Sequence, residues 1–300
     1  MGEKPELLTR RLILAAGATT FASMAAGRVR ADDLRSGALR DEIVAILRSD
    51  FPGVAFTLDP DPRQITLGNK TLFLDNLNAM VADLTGTRRR AMILDFVRPV
   101  ASPTTTKGGT REGFLLASKR LRIQLVPNEY REQAPDLTCR SFSERLLVAY
   151  ALDEANRYQL VNRPIFDAWG VDQSTIERIA IENLAQASGG AEIHISETGV
   201  RGKYATHADE SSYAGARLLV PMVMDQIREG LGTPSIVVTV PTRDILIAWT
   251  PDSAEKVSLA RTAADFMQRG PYSRSRELFS YSATGLRPLT PFELSQHGRS

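Results

Sequence analysis

The sequence predicts an α+β fold of antiparallel hairpins, each flanked by helices. Three observations carry this. Apolar residues recur at helical spacing in several separate segments. Between those segments, short apolar runs are joined by turn residues, notably Asp59-Pro60-Asp61-Pro62 and Pro241-Thr242-Arg243-Asp244. Each such turn is too short for the crossover that a parallel strand pair requires. The composition fits a folded chain: 43% hydrophobic and 24% charged residues argue against a disordered or collagen-like protein. One Cys excludes an internal disulfide and a cysteine-based metal cluster, and three His leave little for a histidine-rich metal site.

The elements follow in order. Residues 1–31 read as an export signal. Arg10-Arg11 precedes sixteen uncharged residues, Leu12 through Gly27, and Val29 and Ala31 fill the −3 and −1 places of a small-residue cleavage site. Thr9-Arg10-Arg11-Leu12-Ile13-Leu14 is similar to the twin-arginine signal, with Ile13 where Phe is usual. The apolar run is short of the about 20 residues that span a bilayer. The segment holds five basic residues against Glu3 and Glu6, a net of +3. Removing it takes the whole chain's +2 to −1.

Leu39, Ile43, Ile46 and Leu47 predict a helix over 34–49, and Pro52-Gly53 ends it. Strands follow at 54–58, 64–67 and 71–74. Leu77, Met80, Val81 and Leu84 mark a helix closed by Gly86, and another covers 88–97. Residues 101–113, rich in Thr, Gly and Pro, read as a linker between an N-terminal unit (32–100) and a main domain (114–300). Beyond it come a strand at 122–126 and a hairpin of 146–152 with 158–161. A helix through Ile176 and Leu184 is capped by Asp172 or Ser174. A strand at 191–196, a helix at 213–229 closed by Gly230, a hairpin of 235–240 with 245–249 and a helix at 253–268 complete the chain. Helix–hairpin–helix order recurs loosely, without residue-level repetition.

The segment Ile236-Val237-Val238-Thr239-Val240-Pro241-Thr242-Arg243-Asp244-Ile245-Leu246-Ile247-Ala248 resembles the signature hairpin of the YtpQ-like family, domain of unknown function 1444. Residues 147–153, Tyr158-Gln159-Leu160-Val161 and the helix through Glu182-Asn183-Leu184 resemble its central block. Tyr213 and Arg217 fall on matching places of its Tyr-rich helix start, and residues 54–74 resemble its first strands. The resemblance covers about residues 40–290 and carries no chemistry to transfer. It implies a cytoplasmic setting, which the export signal opposes.

Candidate functional residues fall in three groups. Asp209, Glu210, Tyr213 and Arg217 gather about the start of one predicted helix, with Tyr213 and Arg217 on one face. This is either Arg–Tyr stacking or a polar ligand site. Arg243 and Asp244 sit in a hairpin turn, where Asp either bonds its own backbone or faces a ligand. Residues 87–122 carry a local net charge of +7, and Arg88, Arg89, Arg90, Arg120 and Arg122 are its anion-binding candidates, against the plain reading of a solvated surface. Phe96 and Phe114 are too few for base stacking, so nucleic acid is not expected. Cys139 reads as inert, and His194 as facing the polar side of a strand. No Gly-x-Ser-x-Gly, Walker or His-Glu-x-x-His motif occurs, and no cofactor or metal is expected.

These residues predict a periplasmic or secreted binding or assembly module. Its expected partners are the twin-arginine translocation machinery and a protein or anionic envelope ligand, with no transmembrane segment in the mature chain. Two alternatives stand beside it. One is a hydrolase whose Asp209, Glu210 and Asp244 converge in the fold; the other is an envelope binder acting through residues 88–122.

Overall fold

The structure, a computed structural model, describes residues 26–68, 70–101, 113–153, 158–198, 202–208 and 211–299. The fold is α+β, and every strand pair in it is antiparallel. The chain forms two compact units, Met1–Leu74 and Asp75–Ser300. Residues 102–112 of the expected linker, and Arg10 and Arg11 of the export signal, lie outside the described residues. Val29 and Ala31 fall on the backbone of the first helix, α1 (Ala26–Asp50). Among the described residues, no helix is long and apolar enough to cross a membrane.

In the first unit, α1 buries Leu39, Ile43 and Leu47, which stand four apart along one face. It leads into a meander of β1 (Phe56–Leu58), β2 (Gln64–Leu67) and β3 (Lys70–Phe73). Asp59 and Asp61 shape the first turn, accepting from the backbone N–H of Asp61 and Arg63. Arg40 ties α1 to that turn through the Asp59 carbonyl, at 3.0 Å.

The second unit opens with α2 (Asp75–Val81) and α3 (Gly86–Ala101). Two short helical turns, α4 (Phe114–Ala117) and α5 (Tyr130–Gln133), flank β4 (Leu121–Pro127). Then come β5 (Cys139–Ser141), β6 (Leu146–Asp153) and β7 (Tyr158–Leu160). β6 is the centre of a four-stranded sheet. It pairs with β4 on one edge, and β5 and β7 take successive stretches of the other. Its alternation is plain: Leu146, Val148, Tyr150 and Leu152 join the main core, while Leu147 and Ala149 join a smaller cluster with Val126.

α6 (Arg163–Trp169) is capped by Asn162, and α7 (Gln173–Ala187) by Asp172, whose Oδ1 accepts from Thr175 N at 2.7 Å. The second sheet has six strands in the order β13 (Gly285–Pro288), β12 (Phe279–Ser282), β10 (Ser235–Thr242), β11 (Ile245–Trp249), β9 (Gly202–Ala208), β8 (His194–Thr198). Along β10, Ile236, Val238 and Val240 face the main core shared with β4, β6 and α7. Val237 faces a second core under α9 (Lys256–Arg269), with Trp249 and Ala260.

The helix expected at 213–229 is two elements. A 3-10 turn, Gly215–Leu219, is followed by α8 (Pro221–Leu231). Pro221 disfavours a helical conformation at the residue before it, so Val220 is extended and Pro221 starts a new helix. The helix closes at Gly232 (φ +67) rather than at Gly230, because Gly232 supplies the left-handed cap. Likewise α2 ends at Val81, and Gly86 opens α3 instead of closing the helix before it. A last helix, α10 (Pro291–Gln296), follows β13.

Candidate functional site

The β10–β11 hairpin places Arg243 and Asp244 at its tip, beyond the Thr242–Ile245 pair. Asp244 grips Arg243 with both carboxylate oxygens, at 2.9 and 3.3 Å. The guanidinium carbon of Arg243 lies 3.6 Å from the centre of the Tyr272 ring, with the Tyr158 ring 5.9 Å away. Such a cation between aromatic rings is held by their quadrupoles as well as by its ion pair. Burial works against the charge of Arg243, but the hydrogen bond and charge of Asp244, with the nearby Tyr158 and Tyr272, together hold its pKa above the ordinary arginine value.

Backbone contacts fix the tip. Arg243 donates its N–H to the Tyr272 carbonyl (2.9 Å), and its own carbonyl accepts from Gly215 N–H (2.9 Å). Gly215 has no room for a side chain: a Cβ there would sit 2.4 Å from Val240 Cγ1 and 3.0 Å from the Thr242 carbonyl oxygen. Tyr272 itself is left-handed, with φ +57, an unusual state for a bulky residue. Its N–H donates to Asn76 Oδ1 and its hydroxyl points to Met80 Sδ at 3.5 Å, which fixes both ends of the residue.

Tyr158 links this tip to Tyr213, their ring centres 5.8 Å apart. The Tyr213 hydroxyl donates to Asp153 Oδ1 at 3.2 Å; burial, then the Asp153 charge, raises its pKa well above the usual range. The residue before it, Ser212, is also left-handed (φ +68), with its carbonyl held by the buried Gln124 amide at 2.8 Å. Tyr130 packs against the smaller cluster of Val126, Leu147 and Ala149, within electrostatic reach of Arg243. Its pKa is raised, first by burial, while the nearby charges of Arg274 and Arg243 oppose the rise. Tyr272 and Tyr158 thus face one arginine and Tyr213 joins through Tyr158; the left-handed non-glycine residues among the described residues are Tyr272 itself and Ser212, the neighbour of Tyr213.

The expected site residues divide accordingly. Tyr213, Arg243 and Asp244 belong to this cluster, and Tyr158 joins the first to the second. Arg217 does not: it is 3% exposed and turned inward, with Nε on Ser188 Oγ (2.8 Å) and Nη1 on His207 Nε2 (2.6 Å). Tyr213 and Arg217 therefore meet different partners: Tyr213 precedes the 3-10 turn that carries Arg217, so the two share no helical face. Asp209 and Glu210 lie outside the described residues. Among the basic candidates, Arg122 reaches Asp153 Oδ2 at 4.0 Å, and Arg120 donates to the Asp153 carbonyl at 3.3 Å, so both border the Tyr213 end of the cluster. Arg88, Arg89 and Arg90 stand in the first turn of α3, where Arg89 donates to the Val81 carbonyl at 2.7 Å. Cys139 is a half-buried free thiol, and His194 is exposed on β8 beside Glu192.

Tyr130, Tyr158, Asp153 and Tyr272 were not singled out by sequence reasoning. The one signal for them was the loose tyrosine content, since they are spread over more than a hundred residues. Among the described residues, no group of three or more His, Cys, Asp or Glu is placed to hold a metal ion. The chain matches no family model, no curated protein and no solved structure.

Proposed function

We propose that this chain is an exported, non-catalytic binding module and that a protein partner docks on the face formed by the partly exposed Arg243, Tyr158 and Tyr272. One observation carries the reading: Arg243 is held between Tyr272 and Tyr158 and clamped by Asp244. Tyr and Arg are the residue types that dominate binding energy at protein interfaces, and a side chain already held in place loses little entropy on docking. The left-handed backbone at Ser212 and Tyr272 adds to this, since such strain is retained where a side chain must be aimed. Asp244 is engaged by Arg243, which suits an orienting role better than that of a catalytic base. Membership of the YtpQ-like family, periplasmic or secreted location and passage through the twin-arginine machinery belong to the same proposal, and rest on the residues given for them above.

A photo-crosslinking amino acid at position 158, in full-length protein expressed in its host, tests the reading. A discrete crosslinked species is expected, and Arg243→Ala should reduce it at least tenfold while the thermal midpoint stays near that of the parent. A crosslink that survives Arg243→Ala, or none at all, would overturn the docking surface.

A further inference from the structure

Arg274 follows the strained Tyr272 by two residues and is buried, with 5% of its surface exposed. Its backbone N–H donates to the Pro241 carbonyl at 2.9 Å. Its Nη1 donates to the carbonyls of Tyr272 (3.1 Å) and Ser273 (3.2 Å). Its Nε is buried without a hydrogen-bond partner. Among the described residues, no carboxylate bonds to it. Glu277, close by in sequence, accepts instead from Ser143 (2.6 Å) and Ser275 (3.0 Å). A buried cation with an unfilled donor and no bonded carboxylate is costly for a fold to hold.

Arg274 is among the residues lining a cleft of about 220 Å³. Arg145 and Arg276, both exposed, stand at the same cleft, with Glu129 as the carboxylate among its lining residues. Met267 and Gln268 of α9 form the opposite wall. Three arginines against one glutamate leave a net charge of +2, which a dianion balances. The planar arginine fork matches tetrahedral oxyanions, and the cleft has room for such a group together with water, each molecule of which takes about 30 Å³ in the liquid.

We infer that this cleft binds a phosphate group, with Arg274 as its floor and Arg145 and Arg276 at its rim. The site goes beyond the docking surface: Tyr158, Arg243 and Tyr272 are not among its lining residues. The phosphate comes either from a soluble molecule or from a lipid headgroup, and the chemistry is the same.

Full-length protein is titrated with inorganic phosphate at constant ionic strength, by calorimetry, and in parallel floated with phosphatidylglycerol vesicles. Saturable phosphate binding is expected. Arg145→Glu, an exposed change that leaves the fold intact, and Arg274→Lys, which keeps the charge but loses the fork, should each weaken it at least tenfold. Arg243→Ala should leave it unchanged, which separates this site from the docking surface. Phosphate binding without flotation assigns a soluble ligand; flotation that phosphate competes away and Arg145→Glu abolishes assigns a lipid headgroup. Neither phosphate nor vesicle binding, or binding indifferent to both Arg145→Glu and Arg274→Lys, overturns the inference.

Discussion

Arg217 and His207 show how a buried polar pair fixes which atoms donate and which accept. Arginine has only donors, so His207 Nε2, 2.6 Å from Arg217 Nη1, is the acceptor. Nδ1 then donates to the Glu192 carbonyl at 2.8 Å. His207 and Ser188 are 1% and 2% exposed, and water does not replace a lost partner there. Arg217→Met should therefore cost about 1–3 kcal/mol in denaturant unfolding, the magnitude of losing the buried hydrogen bonds to Ser188 and His207. A loss under about 0.5 kcal/mol would mean that the network contributes no stability. Tyr272 presents the opposite balance. Tyr272→Gly relieves a left-handed backbone worth about 1–2 kcal/mol but removes the ring facing Arg243. Stability should change little while the crosslink at position 158 falls sharply; an unaltered crosslink would deny the ring any part in docking.

The 3-10 turn Gly215–Leu219 and the β10–β11 hairpin are locked by contact rather than by propensity. Gly215→Ala drives a methyl group into Val240 and against two carbonyl oxygens of the hairpin. It should destabilise the protein by about 1–3 kcal/mol and loosen Arg243 with it, as reported by amide exchange at residues 240–244. The C-terminal helix α10 is set by a capping box: Thr290 Oγ1 accepts from Glu293 N, and Glu293 Oε2 accepts from Thr290 N. The ion pair with Arg287, then the Thr290 bonds, lower the Glu293 pKa from 4.5 to about 2. A depressed carboxylate pKa stabilises the folded form above the unfolded value. The contribution of this cap is therefore complete above about pH 4.5 and is lost as pH falls through about 2. Glu293→Gln should flatten that part of the acid dependence of exchange at residues 290–298, and an unchanged slope would exclude Glu293 as its source.

For the molecule as a whole, charge is unevenly assigned. The chain is +2, but the first 31 residues hold +3 of it, so the portion after Ala31 is slightly acidic and its basic character is local. Replacing Arg10-Arg11 by Lys-Lys should keep a reporter fusion in the cytoplasm, with export undiminished as the result that would refute the twin-arginine route. The loose helix–hairpin–helix succession leads to different ends. The β10–β11 hairpin becomes the middle of a six-stranded sheet, whereas β6 becomes the centre of a four-stranded one.

The α+β class, the hairpins around Asp153 and around Arg243-Asp244, a cap at Asp172 or Ser174 and most helices are legible in the sequence alone, and the fold selects Asp172 as the cap. These rest on local forces: periodicity, turn chemistry and capping act over a few residues. The sequence did not disclose β5, β9, β12 and β13. Gly202–Ala208 and Phe279–Ser282 are weakly patterned, and they are strands because β11 and β10 offer them unpaired edges. The same division holds for the site. Arg243, Asp244 and Tyr213 were legible as candidates from their place near turns and helix starts. That Arg217 turns inward to His207, and that Tyr158 and Tyr272 close on Arg243 from separate segments, follows only from the assembled fold. Aromatic and ionic contacts act over a few ångströms in space and are blind to separation along the chain, so their partners are settled when the sheets assemble.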